Sequence, residues 1–374
     1  MARRGNNEGS IYRQQNGLWR AAVSIGVGKR KYLSGQTRQE VAKKLTDVLK
    51  AKQDSTPIPS GRLTFARYAI DWLSSVRLAR RPKTYESYES SLRIHIVPQL
   101  GHIQLNKLTP SDLERLYTSL TNNGAAPKSV RNYHACIHSM LDKAVRQGLL
   151  IRNVAGLVDL PRKVHRDLPM ISYQQTQAFI RACRNYRLES LFILAITTGA
   201  RQGELLGLTW DNVDLETGEI NIRQALQKIE GQPTLVEPKT SRSKRTVALT
   251  DIAVSSLRRH RVGQIKERMY LGAAWNNKFN LVFTTPTGTP LDKDNIRKRV
   301  LPPIYRAAEL STKLTFHDLR HIAASLVLGK GVSIPTVSDM LGHADAATTL
   351  RVYAHAIPGA QREAAIALNR ALAE

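Results

Sequence analysis

Two breaks in the hydrophobic pattern divide this chain of 374 residues into three segments, each with its own periodicity. The first break covers residues 54–61 and is rich in turn-forming residues, and the second covers residues 152–163. A chain of this length also exceeds one ordinary domain. The sequence therefore predicts three domains, at residues 1–53, 62–150 and 165–374.

The first segment contains three short runs that alternate polar and apolar residues, followed by a helical pattern. Asn16-Gly17 between two of the runs is a good hairpin signal. Thr37, with Glu40 three residues later, is typical of a capped helix start. We expect a three-stranded sheet with one helix, whose strand face reads DNA, although a plain scaffold hairpin would look similar. The residues that the sheet is expected to display are Arg13, Trp19, Arg20 and Lys31.

The second segment has four helical patterns whose lengths suit a helical bundle. They cover residues 65–78, 83–94, 111–120 and 127–147, and a break is predicted at residues 98–101. Basic residues at the helix starts and in the loops are suited to gripping phosphates, with scattered charges on an ordinary bundle as the alternative. The candidates are Arg81, Lys83, Lys128 and Arg131.

The third segment is mostly helical, and short strands between residues 213 and 249 predict a small antiparallel sheet. The fold class expected for the chain is therefore mainly α with small antiparallel β-sheets. Cys136 and Cys183 lie in amphipathic helical patterns. That position is typical of small core residues, not of a disulfide or a metal site.

The strongest compositional signal is a formal net charge of +26, with a pI near 10.4. Such an excess of positive charge requires a polyanion, and nucleic acid is the leading candidate. A membrane surface is the alternative, but the basic residues recur along the whole chain instead of forming one basic amphipathic helix. Since the sequence also has no membrane-spanning run and no secretory signal, we expect a cytoplasmic protein that wraps duplex DNA.

Gly199 and Arg201 mark a helix junction in the third segment. Gly199 ends an apolar helix, and Arg201 stands at the start of the next one. An arginine at that place meets the positive end of the helix dipole, so either Glu204 neutralises it or an anion binds there. Both interpretations stay open on this segment alone.

A second cluster places His317, Arg320 and His321 on one predicted helix. His317 and Arg320 are three residues apart, so their side chains can reach one point in space. His317 and His321 have the spacing of metal ligands, but no HExxH pattern or cysteine cluster accompanies them, and no metal is expected. A surface pair of His and Arg remains the alternative.

Near the C-terminus, His343 follows a helix-ending glycine and Tyr353 lies in another helical pattern. A histidine at such a position is more often a cap or core residue than a catalyst. Leu350 and Ala354 share one helical face, which predicts that Tyr353 lies off the apolar side. By itself, Tyr353 is an ordinary, partly buried tyrosine.

Taken together, these segments resemble the catalytic domain of the tyrosine recombinases, the phage-type integrases. The matching motifs are residues 198–204 (TGARQGE), Lys239 in a basic hairpin, residues 317–321 (HDLRH), residues 341–343 (LGH), and Tyr353. Residues 64–150 resemble the helical core-site-binding domain of that family. Residues 10–52 resemble the arm-site-binding domain of integrases with three parts, so the resemblance extends across the chain.

The resemblance implies that the third segment cuts and rejoins DNA strands. Tyr353 is then the nucleophile that becomes linked to a DNA phosphate. Arg201 and Arg320 bind the non-bridging oxygens of that phosphate, a task that suits the planar fork of arginine. His343 adds a hydrogen bond to the same phosphate.

The resemblance also assigns the proton transfers. His317 is the general base for the tyrosine, and Lys239 protonates the departing 5′ hydroxyl. Lys244 in the same hairpin is the alternative lysine, and the sequence Pro238-Lys239-Thr240 favours Lys239. Because a 3′-phosphotyrosyl bond conserves the energy of the phosphodiester, no metal, ATP or other cofactor is expected.

The partners that the resemblance implies are double-stranded DNA at core and arm sites, a homotetramer on that DNA, and a DNA-bending accessory factor or an excisionase. A helix predicted at residues 361–373 would pack against a neighbouring subunit or, alternatively, against its own domain. Such an enzyme would integrate or excise a phage genome or another mobile element in the bacterial cytoplasm, close to the nucleoid.

Two other functions compete with this one. A type IB topoisomerase shares the chemistry, but the integrase-like first segment disfavours it. A non-catalytic DNA-binding protein with an architectural or regulatory role would share the charge. It would leave the co-occurrence of five matched motifs unexplained.

Overall fold

The structure, a computed structural model of the chain, describes residues 10–26, 29–53, 63–162, 171–184, 186–238, 243–310, 314–343 and 345–353, together with Asn369 and Leu372. Three predictions therefore lie outside the described residues. They concern the linker at residues 54–61, the catalytic lysine at Lys239 and, apart from Asn369 and Leu372, the C-terminal helix at residues 361–373.

The chain divides into two compact units, residues 1–165 and 166–374. The first unit begins with strands β1 (Ser10–Arg13), β2 (Trp19–Gly26) and β3 (Lys29–Gly35) and helix α1 (Arg38–Gln53). The strands form an antiparallel sheet in the order β1-β2-β3, as predicted.

A small apolar core lies between this sheet and α1 and contains Ala21, Val23, Val41 and Leu45. Trp19 packs against that core, and Arg20, its neighbour in β2, points to the opposite face because side chains alternate along a strand. Trp19 and Arg20 therefore lie on opposite faces of the sheet. The predicted helix start is confirmed, since the backbone N–H of Glu40 donates to Thr37 Oγ1 at 3.2 Å.

The rest of the first unit is a helical bundle around one apolar core. Its helices are α2 (Phe65–Ala79), α3 (Pro82–Ser91), α4 (Val97–Leu100), α5 (Pro110–Asn122) and α6 (Pro127–Arg146). The helix break predicted at residues 98–101 is placed too early, because α4 continues to Leu100. A wider π turn at Leu92–Ile96 carries the chain from α3 into α4, where Pro98 occupies a first-turn position that needs no N–H donor.

The second unit is mainly helical and begins with α7 (Tyr173–Cys183), α8 (Glu189–Thr198) and α9 (Gln202–Leu206). Five short strands follow: β4 (Val213–Asp214), β5 (Glu219–Ile222), β6 (Ala225–Ile229), β7 (Gln232–Val236) and β8 (Arg245–Ala248). They form an antiparallel sheet in the order β4-β5-β8 and a separate β6-β7 hairpin, which confirms the predicted sheet.

Helices complete the second unit: α10 (Asp251–Leu271), α11 (Lys293–Asn295), α12 (Leu301–Ala307), α13 (Phe316–Leu328), α14 (Ile334–Leu341) and α15 (Ala346–Tyr353). Helix α8 is buried on almost every side, and α10 and α13 pack against it. The predicted fold class is thus confirmed. Cys136 and Cys183 are buried and free, as expected of core residues. Across the described ranges, the chain has no helix that combines the length and the apolar character needed to cross a membrane.

Candidate active site

The junction between α8 and α9 places Arg201. Gly199 ends α8 in the left-handed conformation, with φ +61°, and Arg201 caps the start of α9. The backbone N–H of Arg201 donates to the carboxylate of Glu204 at 2.9 Å, and its guanidinium donates to the same carboxylate at 2.7 Å. The predicted pair with Glu204 therefore exists. The Arg201 side chain is still 41% exposed, so it can also contact an anion from solvent.

Helix α13 carries the His317, Arg320 and His321 cluster. Its start is fixed by a capping box in which Asp318 accepts hydrogen bonds from the backbone and hydroxyl of Thr315. His317 and His321 lie one turn apart, with ring centroids 4.8 Å from each other. Within the described ranges, no three His, Cys, Asp or Glu side chains group together as metal ligands would.

Arg320 is the most deeply buried basic group of the cluster, with 2% of its surface exposed. One terminal nitrogen donates to the carbonyl oxygen of Gly199 at 2.7 Å. The other, Nη2, is buried and has no hydrogen-bond partner among the described residues. Burial, together with the nearby charge of Arg201, lowers the pKa of Arg320 to about 10. A buried donor of this kind calls for an acceptor, and an anionic oxygen satisfies it best.

The end of α14 brings His343 to the same place. Gly342 caps α14 with φ +67°, and its carbonyl oxygen accepts a hydrogen bond from Arg201 Nη2 at 3.2 Å. His343 Nδ1 lies 2.7 Å from Thr349 Oγ1. Burial and the positive charges of Arg320 and Arg201 lower the pKa of His343 to about 4, so its ring is neutral at pH 7. When the Thr349 hydroxyl donates to Nδ1, Nε2 keeps its proton as a donor.

Tyr353 is almost fully buried at the end of α15, with 1% of its surface exposed, and it packs in a small core with Val337 and Leu341. The prediction that Leu350 marks the apolar face of this helix is wrong, because Leu350 is 49% exposed and Tyr353 takes the inner side. Burial raises the pKa of the Tyr353 hydroxyl to about 12. The nucleophile candidate is therefore a neutral phenol in this state.

The hydroxyl of Tyr353 lies 2.8 Å from Nδ1 of His321. The sequence pointed instead to His317 as the residue that handles the tyrosine proton. Burial and the neighbouring His317 lower the pKa of His321 to about 4, so His321 is a neutral ring that can accept a proton. Burial and Arg320 also lower the pKa of His317.

Sequence reasoning gave no role to Arg245, which lies in the middle of this site. Its guanidinium donates to the carboxylate of Glu204 at 3.0 Å and to the carbonyl oxygen of Met340 at 2.8 Å. Burial alone would raise the pKa of Glu204, but Arg245 and then Arg201 outweigh it, and the pKa is lowered. The signal in the sequence was weak, because Arg245 follows several other basic residues between β7 and β8.

The structure thus brings five of the six predicted catalytic residues together: Arg201, His317, Arg320, His343 and Tyr353. The sixth, Lys239, lies outside the described residues. The alternative lysine, Lys244, is paired with Glu237 at 3.3 Å.

The DNA-binding candidates lie in the first unit, and most of their described side chains face solvent. Arg13, Arg81, Lys83 and Lys128 are exposed, and Lys83 is paired with Glu86. Two others are held by neighbours: Arg20 lies over the ring of Tyr32 at 4.4 Å, and Arg131 donates to the carbonyl oxygen of Pro161 at 2.9 Å. Lys31 belongs to β3, where its backbone pairs with Val23.

Comparison with known proteins bears on both units. Residues 169–358, half of the chain, match the family model described as the phage integrase family. Residues 64–121 match the model described as the N-terminal SAM-like domain of phage integrase.

Related proteins extend the match to nearly the full length. A tyrosine recombinase XerC-like protein of Caldanaerobacter subterraneus is 28% identical, over 94% of this chain and 95% of the relative. The Tn1549 transposon integrase, solved in complex with a circular intermediate DNA, has a similar fold, with a TM-score of 0.70 and 18% identity, over 82% of this chain and 99% of that one. A lambda integrase tetramer bound to a Holliday junction gives a TM-score of 0.56 and 18% identity, over 93% and 96% of the two chains.

Proposed function

The chain belongs to the phage integrase family of tyrosine recombinases, enzymes that cleave and rejoin DNA strands, and we propose that the site around Arg320 binds the scissile phosphate for attack by Tyr353. The family model is that of integrases, which disfavours a type IB topoisomerase. We further propose that the enzyme integrates or excises a mobile element or phage genome in the bacterial cytoplasm.

The observation that carries the proposal is the buried Nη2 of Arg320, which has no hydrogen-bond partner in the described part of the chain and lies in a cluster with excess positive charge. Three guanidinium groups, those of Arg201, Arg245 and Arg320, act on the carboxylate of Glu204. The other buried carboxylate of the cluster, Asp318, acts on His317 and His321. The histidines beside them have lowered pKa values and are neutral at pH 7. A phosphate monoanion would supply both the missing acceptor and the missing negative charge.

In the proposed reaction, Tyr353 Oη attacks phosphorus and a 3′-phosphotyrosyl bond forms. The bond between phosphorus and the 5′ oxygen breaks, and the leaving oxygen takes a proton from Lys239. Arg201, Arg320 and His343 stabilise the charge that develops on the non-bridging oxygens. The reverse attack by a 5′ hydroxyl from another duplex returns the proton to Lys239 and exchanges the strands.

The phenolic proton needs an acceptor, because the pKa of Tyr353 is about 12 in the described state. We propose His317 as that general base. His321 is the alternative acceptor, since its Nδ1 already contacts the hydroxyl at 2.8 Å. Replacing each histidine by alanine in turn separates the two. Loss of the true base should lower the rate of cleavage at neutral pH more than loss of the other histidine. Raising the pH should recover part of the lost rate.

The first unit would hold the DNA. We propose that residues 1–53 bind arm sites and residues 62–150 bind core sites, with residues 165–374 as the catalytic domain. Separate apolar cores in the sheet module and in the bundle support this division. A homotetramer on DNA, with a DNA-bending accessory factor or an excisionase as further partners, completes the proposal. The tetramer that lambda integrase forms on a Holliday junction supports this part of the proposal.

The decisive experiment traps the covalent intermediate. The purified protein, without metal or nucleotide, is incubated with attachment-site DNA that carries a nick near the crossover point, and the products are separated in SDS. We expect a protein–DNA complex that survives SDS and disappears in Tyr353→Phe, which retains DNA binding. DNA that is bound by the wild type on a verified site but never becomes covalent would favour the architectural role instead.

A second experiment tests the DNA contacts of the bundle. Lys128→Ala should weaken binding to all sequences alike and reduce the slope of log affinity against log salt by about one, since each lost phosphate contact releases one counterion fewer. Arg115→Ala is the matched control, because Arg115 is an exposed cation in the same bundle that is already paired with Asp112. Equal slopes for both variants and the wild type would place Lys128 away from the DNA.

A further inference from the structure

Arg245 is bonded to three different segments of the active site. It is the first residue of β8, and its side chain is 7% exposed. Its Nε donates to the carbonyl oxygen of Met340 at 2.8 Å, and one terminal nitrogen donates to the Glu204 carboxylate at 3.0 Å. The other terminal nitrogen donates to the carbonyl oxygen of Ser243 at 3.3 Å. All three nitrogens of the guanidinium are therefore engaged by the protein itself.

Each of these contacts leads to a group that the reaction needs. Glu204 also binds the backbone and the guanidinium of Arg201. Met340 belongs to the last turn of α14, whose cap places His343. The remaining contact, at Ser243, lies in the part of the chain between β7 and β8, whose sequence includes the predicted lysine.

The packing around Gly342 shows how closely these parts fit. Its carbonyl oxygen accepts a hydrogen bond from Arg201, and a Cβ atom at this position would lie 2.8 Å from Arg245 Nη1. Gly342 is thus enclosed between the two arginines. A shift of the Arg245 side chain would free the end of α14 and leave the buried Glu204 with a single cationic partner, so Arg201 and His343 would lose their common support.

We propose that Arg245 is a positioning residue of the recombinase, which holds Arg201 and His343 in the arrangement that binds the scissile phosphate without contacting DNA itself. The inference rests on the proposed function. Lysine cannot replace it, because one ammonium group lacks the planar fork that reaches a carboxylate and a carbonyl oxygen at the same time.

The test compares single-turnover cleavage of the nicked attachment site at saturating protein. Arg245→Lys should slow formation of the covalent complex by about tenfold or more, because a small displacement of phosphate-binding groups is costly in rate, while DNA affinity stays nearly constant. Arg187→Lys is the matched control. Arg187 is another partly buried arginine of the same unit, bonded to Glu267 and to the carbonyl oxygen of Thr284, and its replacement should leave the rate unchanged.

A further readout separates positioning from a general loss of structure. The wild type and Arg245→Lys are both assayed on DNA in which a methylphosphonate replaces the scissile phosphate and removes its charge. The wild type should lose rate strongly, whereas Arg245→Lys, whose phosphate-binding groups are already displaced, should lose less. Partial unfolding would instead lower both rates by one common factor.

The outcomes distinguish the two proposals. If the wild type forms no covalent complex on a verified site, the proposed function fails. If the wild type does so and Arg245→Lys matches its rate, or if the effects of the variant and of the methylphosphonate simply multiply, the positioning role is overturned. Should Arg245→Lys not fold, the double variant Glu204→Gln/Arg245→Gln removes both buried charges together, and wild-type cleavage by that protein would equally overturn the role.

Discussion

Replacing Glu204 by glutamine should destabilise the second unit far more than its small chemical change implies. The Glu204 side chain is 5% exposed and accepts hydrogen bonds from Arg245 at 3.0 Å and from Arg201 at 2.7 Å. Glutamine keeps one acceptor oxygen, but it turns an NH₂ group toward arginine donors and removes the negative charge that Arg201 and Arg245 both contact.

The magnitude follows from the burial of the partners. Breaking a buried ion pair by removing one member costs about 3–5 kcal/mol. Solvent weakens the ion pair of Glu204 with Arg201, because the Arg201 side chain is 41% exposed. The ion pair with Arg245 keeps its full strength, because the Arg245 side chain is only 7% exposed. We therefore expect a loss near the lower end, about 3 kcal/mol, which for a unit of this size lowers Tm by about 6–12 °C.

Differential scanning calorimetry of the full chain at pH 7 measures this shift in the transition of the second unit. Glu216→Gln is the control, because Glu216 forms an exposed pair with Arg258 at 3.3 Å in the same unit. An exposed pair contributes at most about 1 kcal/mol, so that variant should keep nearly the Tm of the wild type. If Glu204→Gln and Glu216→Gln have the same Tm, Glu204 is not a buried anchor for the arginines.

Two further predictions concern the backbone and the histidines. In calorimetry, Gly199→Ala should lower the free energy of unfolding by about 1–3 kcal/mol more than Gly231→Ala does. Both glycines have positive φ, but only at Gly199 would a Cβ meet Leu341, at 2.5 Å, and equal losses would contradict the packing argument. Because folding lowers the pKa values of His321 and His343 from 6.5 to about 4, the stability that they contribute is complete above pH 6.5 and falls as the pH drops toward 4. His321→Gln/His343→Gln should flatten the fall of Tm across that window, and an unchanged slope would mean that other groups cause it.

Local chemistry made much of this site predictable from the sequence. Glycine tolerates the left-handed conformation that ends a helix, so Gly199 and Gly342 marked the ends of α8 and α14. The three-residue spacing of Arg201 and Glu204 similarly predicted the pair that the structure contains. Each of these signals depends only on residues within about one helical turn of each other in the sequence.

The missed features depend on contacts between distant segments. Helix α15 has only eight residues, and its own pattern did not show that Tyr353 rather than Leu350 faces inward, because α14 supplies the surface that covers it. Arg245 looks like its basic neighbours until β8 pairs with β5 and places its side chain against Glu204. The choice between His317 and His321 as partner of the tyrosine likewise depends on where α15 packs.

The charge balance of the site favours the phosphate binding that we propose. Arg320 is buried, and its pKa falls to about 10 because burial and the charge of Arg201 both oppose its protonated form. The carboxylate of Glu204 offsets part of this cost, and the neutral ring of His343 adds no further positive charge. A scissile phosphate would relieve the repulsion at the point where negative charge grows during attack, so part of the free energy stored in the folded site becomes stabilisation of the transition state.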